Sequence, residues 1–390
     1  MPAVWRTVTD SQVFNWVEVL NKINVQTDII SLVNDKFRQN KEKVSEIEKR
    51  TSGRFFQFKL YPLLLNDVIL TFRLLALYFQ NVGKYDEIIF QTRMADLGHT
   101  FSLIKHLPKA KTIFESRGAT IEERKFVHND FKSLKKKFKE HVNLRSEEKL
   151  ITGSHGVICV SDALKNYYVE KFDIDPGKTD FLVIPGAASK ELFYFDEALR
   201  KESREALGYK EGDCVIVYSG ALNQKWEIPD VVFGFLHFLS DLRKECRFLM
   251  ITPDVDLVKD YSIKYGIEPY VTAVTSSFED VNRYLNAADV ALLLREDIVM
   301  NNVASPTKFA EYLMVGLPTI LSCGIHDFAE IIRKTGFGII LEDNSALKQS
   351  LAGEIMELRS IKRERIADWA AENISKERYL EDYKTYFLRI

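Results

Sequence analysis

Short apolar runs alternate with amphipathic helical patterns along the 390 residues of the chain. This alternation is typical of parallel α/β sheets, whose helices cover the sheet faces. It occurs twice, on either side of a polar, charged segment. The pattern therefore predicts an N-terminal Rossmann-like domain at 1–188, a linker at 189–212, a C-terminal Rossmann-like domain at 213–372, and a final helix at 373–390.

In the first half, the pattern predicts a strand at Val4–Val8 and a helix from about Ser11. The most apolar stretch is Tyr61–Phe79, but it contains Asn66, Asp67 and Arg73. These polar residues favour a buried amphipathic helix over a membrane span. The other strands predicted in this half are Val25–Leu32, Arg54–Phe58, Glu87–Phe90, Lys111–Glu115, Gly156–Val160 and Phe181–Ile184.

In the second half, several predicted strands are apolar throughout, which is typical of a buried parallel sheet. Ligands of such sheets bind beyond the carboxyl ends of the strands, so residues at those ends are candidates for a site. The predicted strands are Cys214–Ser219, Phe248–Ile251, Tyr270–Ala273, Asp289–Leu294, Thr319–Ser322 and Phe337–Leu341.

The composition is that of a globular protein, with 46% hydrophobic and 28% charged residues. The net charge of −2 gives no basic field for a nucleic acid, so no nucleic-acid partner is expected. Four scattered cysteines and seven histidines show no ligand spacing, so neither a metal nor another cofactor is expected. The start lacks the pattern of a signal peptide, and the cytoplasm is the expected location.

The most informative stretch is Ala304–Pro318, which predicts one short helix with defined ends. Ser305 occupies the expected N-cap position and Pro306 the first helical position. Gly316 is placed to end the helix in a left-handed conformation, with Pro318 following.

Lys308 and Glu311 share one face of this helix. A lysine in the first turn opposes the helix dipole, unless an anion binds at the same helix end. A carboxylate one turn deeper can accept hydrogen bonds from hydroxyl groups of the same ligand. Phosphate and sugar hydroxyls together indicate a nucleotide. The alternative is an ordinary surface helix with a Lys–Glu pair.

The stretch Ser305–Ile320 resembles the nucleotide-sugar site of GT-B glycosyltransferases, specifically the retaining family 4. Its members often read Ser-Pro-x-Lys-Phe-x-Glu-Tyr-Leu-Ala-x-Gly-x-Pro-Val-Ile. The resemblance implies a GT-B fold: two Rossmann-like parallel-sheet domains that face an interdomain cleft, with a C-terminal helix crossing back to the first. Shorter resemblances occur at Ser116–Gly118, Val160–Ser161, Ile184–Gly186 and Tyr218–Asn223.

The resemblance implies a hexosyltransferase-like enzyme that moves a sugar from a nucleotide-diphosphate donor to a glycan or lipid-linked acceptor. It also implies retention of configuration, and a role in surface polysaccharide biosynthesis. In the family, the matched glutamate binds the donor ribose and the helix start holds the diphosphate. The donor-binding candidates are Gly220, Arg295, Ser305, Thr307, Lys308 and Glu311.

The catalytic candidates are His99, Lys225 and Glu311, and Arg93 and Arg117 are candidates on the acceptor side. Two of these candidates have a plainer interpretation. His99 fits a packed or surface residue equally well, and Arg117 fits a structural role. In the donor set, Arg295 fits an exposed loop arginine, and Gly220 fits a tight turn.

The sequence departs from the family pattern at three points. Val303 stands where many members have a second glutamate, which binds the transferred sugar, so sugar contacts are expected from Asn301, Asn302 or backbone amides. Ala221 replaces an arginine. The first predicted strand is not followed by a glycine pair. A non-catalytic GT-B scaffold, a sugar-binding subunit and a sugar-nucleotide epimerase therefore remain as alternatives.

The segment Phe131–Lys139 is strongly basic. One interpretation is a solvated helix face. The other is peripheral contact with an anionic membrane surface or a lipid-linked acceptor at the inner face of the membrane.

Overall fold

The computed structural model of the chain describes residues 9–33, 38–61, 63–127, 134–222, 228–343 and 347–390. The chain divides into two compact units. The N-terminal unit comprises the described residues within 26–185, together with 303–305 and 381–390. The C-terminal unit comprises those up to residue 25 and those within 186–302 and 306–380.

All strands pair in parallel, as the alternating pattern predicts. They are β1 (Ile29–Val33), β2 (Phe55–Lys59), β3 (Ile88–Thr92), β4 (Ala110–Ser116), β5 (Gly156–Cys159), β6 (Phe181–Val183), β7 (Cys214–Ser219), β8 (Cys246–Ile251), β9 (Val271–Val274), β10 (Val290–Leu293), β11 (Thr319–Ser322) and β12 (Gly338–Leu341).

The α-helices of the described residues cover these sheets. They are α1 (Asn15–Asn21), α2 (Lys41–Thr51), α3 (Leu63–Asn81), α4 (Gly98–Ile104), α5 (Thr120–Val127), α6 (Leu134–Gly153), α7 (Asp162–Phe172), α8 (Glu197–Ala206), α9 (Pro229–Leu242), α10 (Val255–Tyr265), α11 (Val281–Ala287), α12 (Val299–Asn302), α13 (Thr307–Met314), α14 (His326–Thr335), α15 (Ser350–Leu358), α16 (Arg363–Asn373) and α17 (Leu380–Arg389).

The N-terminal unit holds a two-stranded sheet, β1-β2, and a four-stranded sheet in the order β3-β4-β5-β6. Its last helix is α17, which packs beside the strand β5. The Tyr386 hydroxyl donates a hydrogen bond to the carbonyl of Asp180 at 2.7 Å. A Cβ at Gly156 would lie 2.2 Å from the same hydroxyl oxygen, so only glycine lets the helix approach this strand.

The C-terminal unit holds a six-stranded sheet in the order β12-β11-β10-β7-β8-β9. Strands β7, β10 and β11 are buried along their whole length, which explains the largely apolar sequences of β7 and β10. The predicted linker 189–212 contains helix α8. Arg204 of this helix donates a hydrogen bond to the Asp289 carboxylate at 3.2 Å, so the segment is part of the unit.

Helix α3 confirms one prediction in part. The polar residues of Tyr61–Phe79 indicate a buried amphipathic helix, and the structure buries one face, with Asn66, Asp67, Leu70, Leu74 and Tyr78. A second, apolar face is exposed, including Phe72 and Phe79. Within the described residues, no helix is both long and apolar enough to span a membrane.

Two predictions fall wholly or partly outside the described residues. The predicted strand Val4–Val8 lies outside them. Of the basic segment, residues 131–133 lie outside them, and the described helix begins at Leu134. The side chain of Phe138 is exposed.

Candidate functional site

Gly220 follows strand β7 and has a positive φ of 127°, a conformation that favours glycine. An ideal Cβ at this position would lie 2.9 Å from Nζ of Lys308. A side chain here would therefore displace the lysine. The structure brings together two of the predicted donor-binding residues, which are 88 positions apart (308 − 220).

The Lys308 ammonium lies against Tyr218, the fifth residue of β7. Its Nζ is 4.6 Å from the centre of the tyrosine ring and 3.5 Å from the hydroxyl oxygen. The same hydroxyl donates a hydrogen bond to the carbonyl of Ala221 at 2.9 Å. Tyr218 thus positions both the lysine and the loop after the strand.

Helix α13 begins at Thr307, one residue later than predicted. Pro306 occupies the N-cap position with an extended ψ of 122°, and no side chain caps the helix. The prediction that Ser305 is the N-cap is therefore wrong, because the extended proline moves the helix start past it. Gly316 has the predicted left-handed conformation, with φ of 74°.

Glu311 lies one turn below Lys308 and is 8% exposed. Burial raises the pKa of its carboxyl to about 7, against the lowering influence of Lys376, Lys308 and a hydrogen bond from the Thr307 side chain. The group is thus close to half-protonated at neutral pH. A ligand that donates hydrogen bonds to this carboxylate favours its ionised form.

Lys376 is a residue of this site that the sequence analysis missed. Its side chain is buried, and its ammonium donates a hydrogen bond to Oδ1 of Asn15. The ammonium also lies 5.6 Å from the centre of the Trp16 ring. No sequence spacing reveals this arrangement, because its residues come from the two ends of the chain.

Tyr312 and Asp254 were also missed. The Tyr312 hydroxyl accepts a hydrogen bond from the backbone N–H of Ser219 at 2.9 Å, which ties α13 to the end of β7. Asp254 accepts from the N–H of Leu222 at 2.8 Å, and its own N–H donates to the Thr252 hydroxyl at 3.1 Å. The bonds of Asp254 tie Leu222, which follows β7, to the residues that follow β8.

Arg295 follows strand β10 and is buried. Its backbone N–H donates to the Ser322 hydroxyl at 2.8 Å, which joins the ends of β10 and β11. The alternative of an exposed loop arginine is therefore excluded.

Val303 is buried in an apolar cluster of the N-terminal unit. Its carbonyl accepts a hydrogen bond from the Ser161 hydroxyl at 2.7 Å. The two asparagines expected to contact a sugar are bonded locally. The Asn301 amide donates to the Glu296 carbonyl at 3.0 Å, and the Asn302 amide donates to Asp297 at 2.6 Å.

The acceptor-side candidates bind a carboxylate of their own unit. Arg93 contacts both carboxylate oxygens of the buried Glu115, at 2.8 and 2.7 Å. Arg117 contacts one of them at 3.3 Å. Burial alone would raise the pKa of Glu115, but the two arginines and Gln91 hold it below its ordinary value.

The two remaining catalytic candidates are His99 and Lys225. His99 is exposed at the start of α4, with Nδ1 3.1 Å from Nζ of Lys149. Lys225 lies outside the described residues. Among the described residues, no group of three or more His, Cys, Asp or Glu side chains could hold a metal ion.

The fold is similar to that of several proteins of known structure, although the sequence comparisons find no match. No protein-family model matches the sequence, and no curated protein does. A glycosyltransferase structure from Rickettsia africae is 14% identical, with a TM-score of 0.70, and the match covers 97% of this chain and 95% of that one. Anabaena HepE in complex with UDP is 11% identical, with a TM-score of 0.71 and coverage of 97% and 96%.

The chain has the GT-B fold. A third similar structure is the N-terminal domain of a Candida albicans trehalose-6-phosphate phosphatase, at 13% identity, a TM-score of 0.67 and coverage of 98% and 94%. Because this structural neighbour carries the name of a phosphatase, the fold by itself does not fix the reaction.

Proposed function

We propose that the protein is a glycosyltransferase that takes its sugar from a nucleotide-diphosphate donor. The observation that carries the proposal is the approach of Lys308 to Gly220 at the end of β7, with the buried Glu311 one turn below. Anabaena HepE has been described with UDP and with UDP-glucose. The same class of donor suits the chemistry of this arrangement.

Lys308 and the N–H groups at the start of α13 would bind the diphosphate. Charge builds up on the outer phosphate as the bond to the sugar breaks, and fixed positive groups stabilise that charge. The helix dipole contributes in the same direction, since its positive end lies at the helix start. Arg295, buried at the end of the neighbouring strand β10, is the proposed second cation.

Glu311 would accept hydrogen bonds from the ribose hydroxyls. Hydrogen bonds to a charged acceptor contribute about 1.5–3 kcal/mol. The carboxylate must be ionised to accept from both hydroxyls, and the nearby Lys376 and Lys308 favour that state. Glu311 is therefore proposed as a donor-binding residue whose protonation controls affinity.

We extend the proposal to a glycan or lipid-linked acceptor, retention of configuration and a role in surface polysaccharide biosynthesis. These finer points rest on the sequence resemblance. They also require sugar contacts from groups other than a carboxylate at position 303, where the buried valine stands. Backbone amides near Asn301 and Asn302 are the proposed source, because both side chains already bond to neighbouring residues.

The test is donor binding and turnover across UDP-, GDP-, dTDP- and ADP-sugars. Binding of the preferred sugar nucleotide is measured by calorimetry, and turnover by mass spectrometry. Glu311→Ala and Lys308→Ala should each weaken binding by at least tenfold, while the melting temperature shows that the protein remains folded. Glu330→Ala is a matched control, because Glu330 is exposed on the next helix, α14. Unchanged affinity in both site variants would refute the site.

A second candidate function is a non-catalytic sugar-nucleotide-binding subunit. The buried valine at position 303 favours it, since no carboxylate is available there for the transferred sugar. Tight donor binding without either transfer or hydrolysis would support this alternative. Interconversion of the free sugar nucleotide in the absence of an acceptor would instead indicate an epimerase.

A further inference from the structure

Helix α3 presents an apolar stripe to solvent. Leu65, Val68, Phe72 and Phe79 are 51%, 53%, 69% and 68% exposed, and Ala76 is exposed between them. Single exposed apolar residues are common, but a continuous row is a signature of an interaction surface. We name these five residues the α3 stripe.

Buried hydrogen bonds fix the direction of the stripe. On the opposite face of α3, Asp67 accepts a hydrogen bond from the Thr100 hydroxyl of α4, and the Thr71 and Thr100 hydroxyl oxygens are 2.9 Å apart. Arg73 places its guanidinium 4.3 Å from the centre of the Phe58 ring in β2. Turning the stripe inward would break these bonds, so its exposure is part of the fold.

The stripe has the geometry of a helix-packing seam. At about 100° per residue, its five positions fall within an arc of about 80° and extend over about 21 Å. Leu65, Phe72 and Phe79 are seven residues apart, which is the repeat of a coiled-coil seam. The intervals between successive members are three, four, four and three residues, so the row is symmetrical about Phe72.

We propose that the α3 stripe is the contact between two copies of this chain, which pair antiparallel about a two-fold axis at Phe72. In that arrangement each Phe72 meets its own equivalent, Leu65 meets Phe79, and Val68 meets Ala76. A two-fold contact requires such a self-complementary surface. The seam then holds five pairs: a Leu65–Phe79 pair at each end, a Val68–Ala76 pair on each side of the axis, and the Phe72–Phe72 pair at the centre.

Charge distinguishes a second copy from a membrane surface as the occupant. Helices that lie on anionic membranes carry lysine and arginine along their polar face. The nineteen residues of α3 contain two charged residues, Asp67 and Arg73; Asp67 is buried and Arg73 stacks on Phe58. The stripe is therefore apolar, and no lysine or arginine of α3 is available beside it to contact anionic lipid. Such a surface favours packing against an identical apolar surface.

The size of the stripe predicts a weak dimer. A phenylalanine buries roughly 150–250 Å², so the stripe offers on the order of 400 Å² per copy. Two copies would bury about 800 Å², below the 1,200–2,000 Å² of stable complexes. The dimer is thus expected to be reversible and to depend on protein concentration in the micromolar range.

Sedimentation velocity over a hundredfold range of concentration tests the pairing. The wild-type protein should shift from monomer to dimer, and Phe72→Glu should remain monomeric, since it brings two like charges together on the axis. Leu388→Glu is the matched control, because Leu388 is 78% exposed on helix α17, outside the stripe. A wild-type protein that stays monomeric at every concentration, or a Phe72→Glu dimer, would overturn the proposal.

Cysteine cross-linking tests the antiparallel geometry. The background variant is Cys323→Ser, because Cys323 is the partly exposed cysteine and the other three are buried. Phe72→Cys should form a disulfide with its own copy. Leu65→Cys should cross-link to Phe79→Cys in a mixture, but not to itself. Efficient Leu65–Leu65 cross-links would refute the two-fold axis at Phe72.

Co-sedimentation with vesicles that contain anionic lipid tests the competing hypothesis, in which the stripe binds a membrane. Co-sedimentation of monomeric wild-type protein that is lost in Phe72→Glu and kept in Leu388→Glu would assign the stripe to a membrane and overturn the proposed dimer. The stripe contains no proposed donor-binding residue, so Phe72→Glu should leave the affinity for a sugar nucleotide unchanged. The two proposals can therefore fail separately.

Discussion

Two buried carboxylates, one in each unit, have opposite electrostatic surroundings. In the N-terminal unit, Arg93 grips both oxygens of Glu115 and Arg117 contacts one, so the pKa of this carboxyl is below its ordinary value. In the C-terminal unit, burial outweighs the influence of Lys376 and Lys308, so the pKa of Glu311 rises to about 7.

The opposite pKa shifts indicate different roles: Glu115 belongs to an ion pair within the protein, whereas the environment of Glu311 suits the binding of a ligand. The protein itself already satisfies the charge of Glu115. Burying Glu311 as an anion remains unfavourable in the ligand-free protein, and a ligand with hydroxyl donors can reduce that cost. Arg93 and Arg117, the predicted acceptor-side residues, are the ion-pair partners of Glu115, and their acceptor role stays a prediction. Glu311 keeps the features of a binding group.

The largest expected effect is a loss of folding stability when Glu115 is replaced. Glu115→Gln leaves Arg93 and Arg117 without their buried counter-charge, which should lower the free energy of unfolding by about 3–5 kcal/mol. Urea denaturation monitored by circular dichroism measures it. If the variant unfolds at the wild-type urea concentration, Glu115 is not the structural carboxylate of the pair.

The second effect is the pH dependence of stability caused by Glu311. Its folded pKa of about 7 lies above the ordinary value of 4.5, so between these values the folded state holds a proton that the unfolded state has released. The stability from this group is present below about pH 4.5 and is lost as pH rises through 7. The loss amounts to at most about 3 kcal/mol, at 1.36 kcal/mol per pKa unit.

Glu311→Gln isolates this contribution, because other groups also titrate between pH 5 and pH 8. The difference in unfolding free energy between wild type and variant should move in favour of the variant as pH rises. A difference that is constant across the range would show that burial does not raise the pKa of Glu311.

Local sequence patterns predict part of the C-terminal unit and of the candidate site. Two strands of the C-terminal sheet are encoded locally, since largely apolar runs between polar loops correspond to β7 and β10. The Lys308–Glu311 face follows from helical spacing and from the resemblance. Lys376 and Asn15 could not be found in this way, because tertiary packing alone brings residues from opposite ends of the chain together.

Hydropathy was least informative at α3. The polar residues Asn66 and Asp67 predict which face of an amphipathic helix is exposed, but here they are the buried ones. Their preference is reversed by specific partners, Thr100 for Asp67 and the N–H of Tyr61 for Asn66 at 3.3 Å. Thr100 lies 33 residues from Asp67, and a single-sequence pattern does not identify such a partner. The prediction that Ser305 is the N-cap is wrong because Pro306 is extended and occupies the N-cap position itself.

A third effect is the pH dependence of donor binding. If the ionised Glu311 accepts the ribose hydroxyls, affinity should fall as the carboxyl becomes protonated. With a pKa of about 7, the dissociation constant should rise by about eightfold between pH 7.5 and pH 6. Calorimetry with a nucleotide-diphosphate sugar is suitable, because its phosphate diesters do not titrate in this range. Glu311→Gln should bind weakly and with a flat pH profile; a sloping profile in that variant would assign the titration to another group.

The smallest effect concerns Lys376, which is proposed as a positioning residue for Glu311. Its buried ammonium is the foremost charge that lowers the pKa of that carboxyl, so Lys376→Met should move the midpoint of the binding profile to higher pH. A rise of one unit would weaken binding at pH 7.5 by about threefold, and affinity should recover above pH 9. Lys376→Arg keeps the charge and should leave the midpoint near its wild-type position. If Lys376→Met instead lowers affinity equally at every pH, the lysine shapes the site through packing against Trp16 and not through its charge.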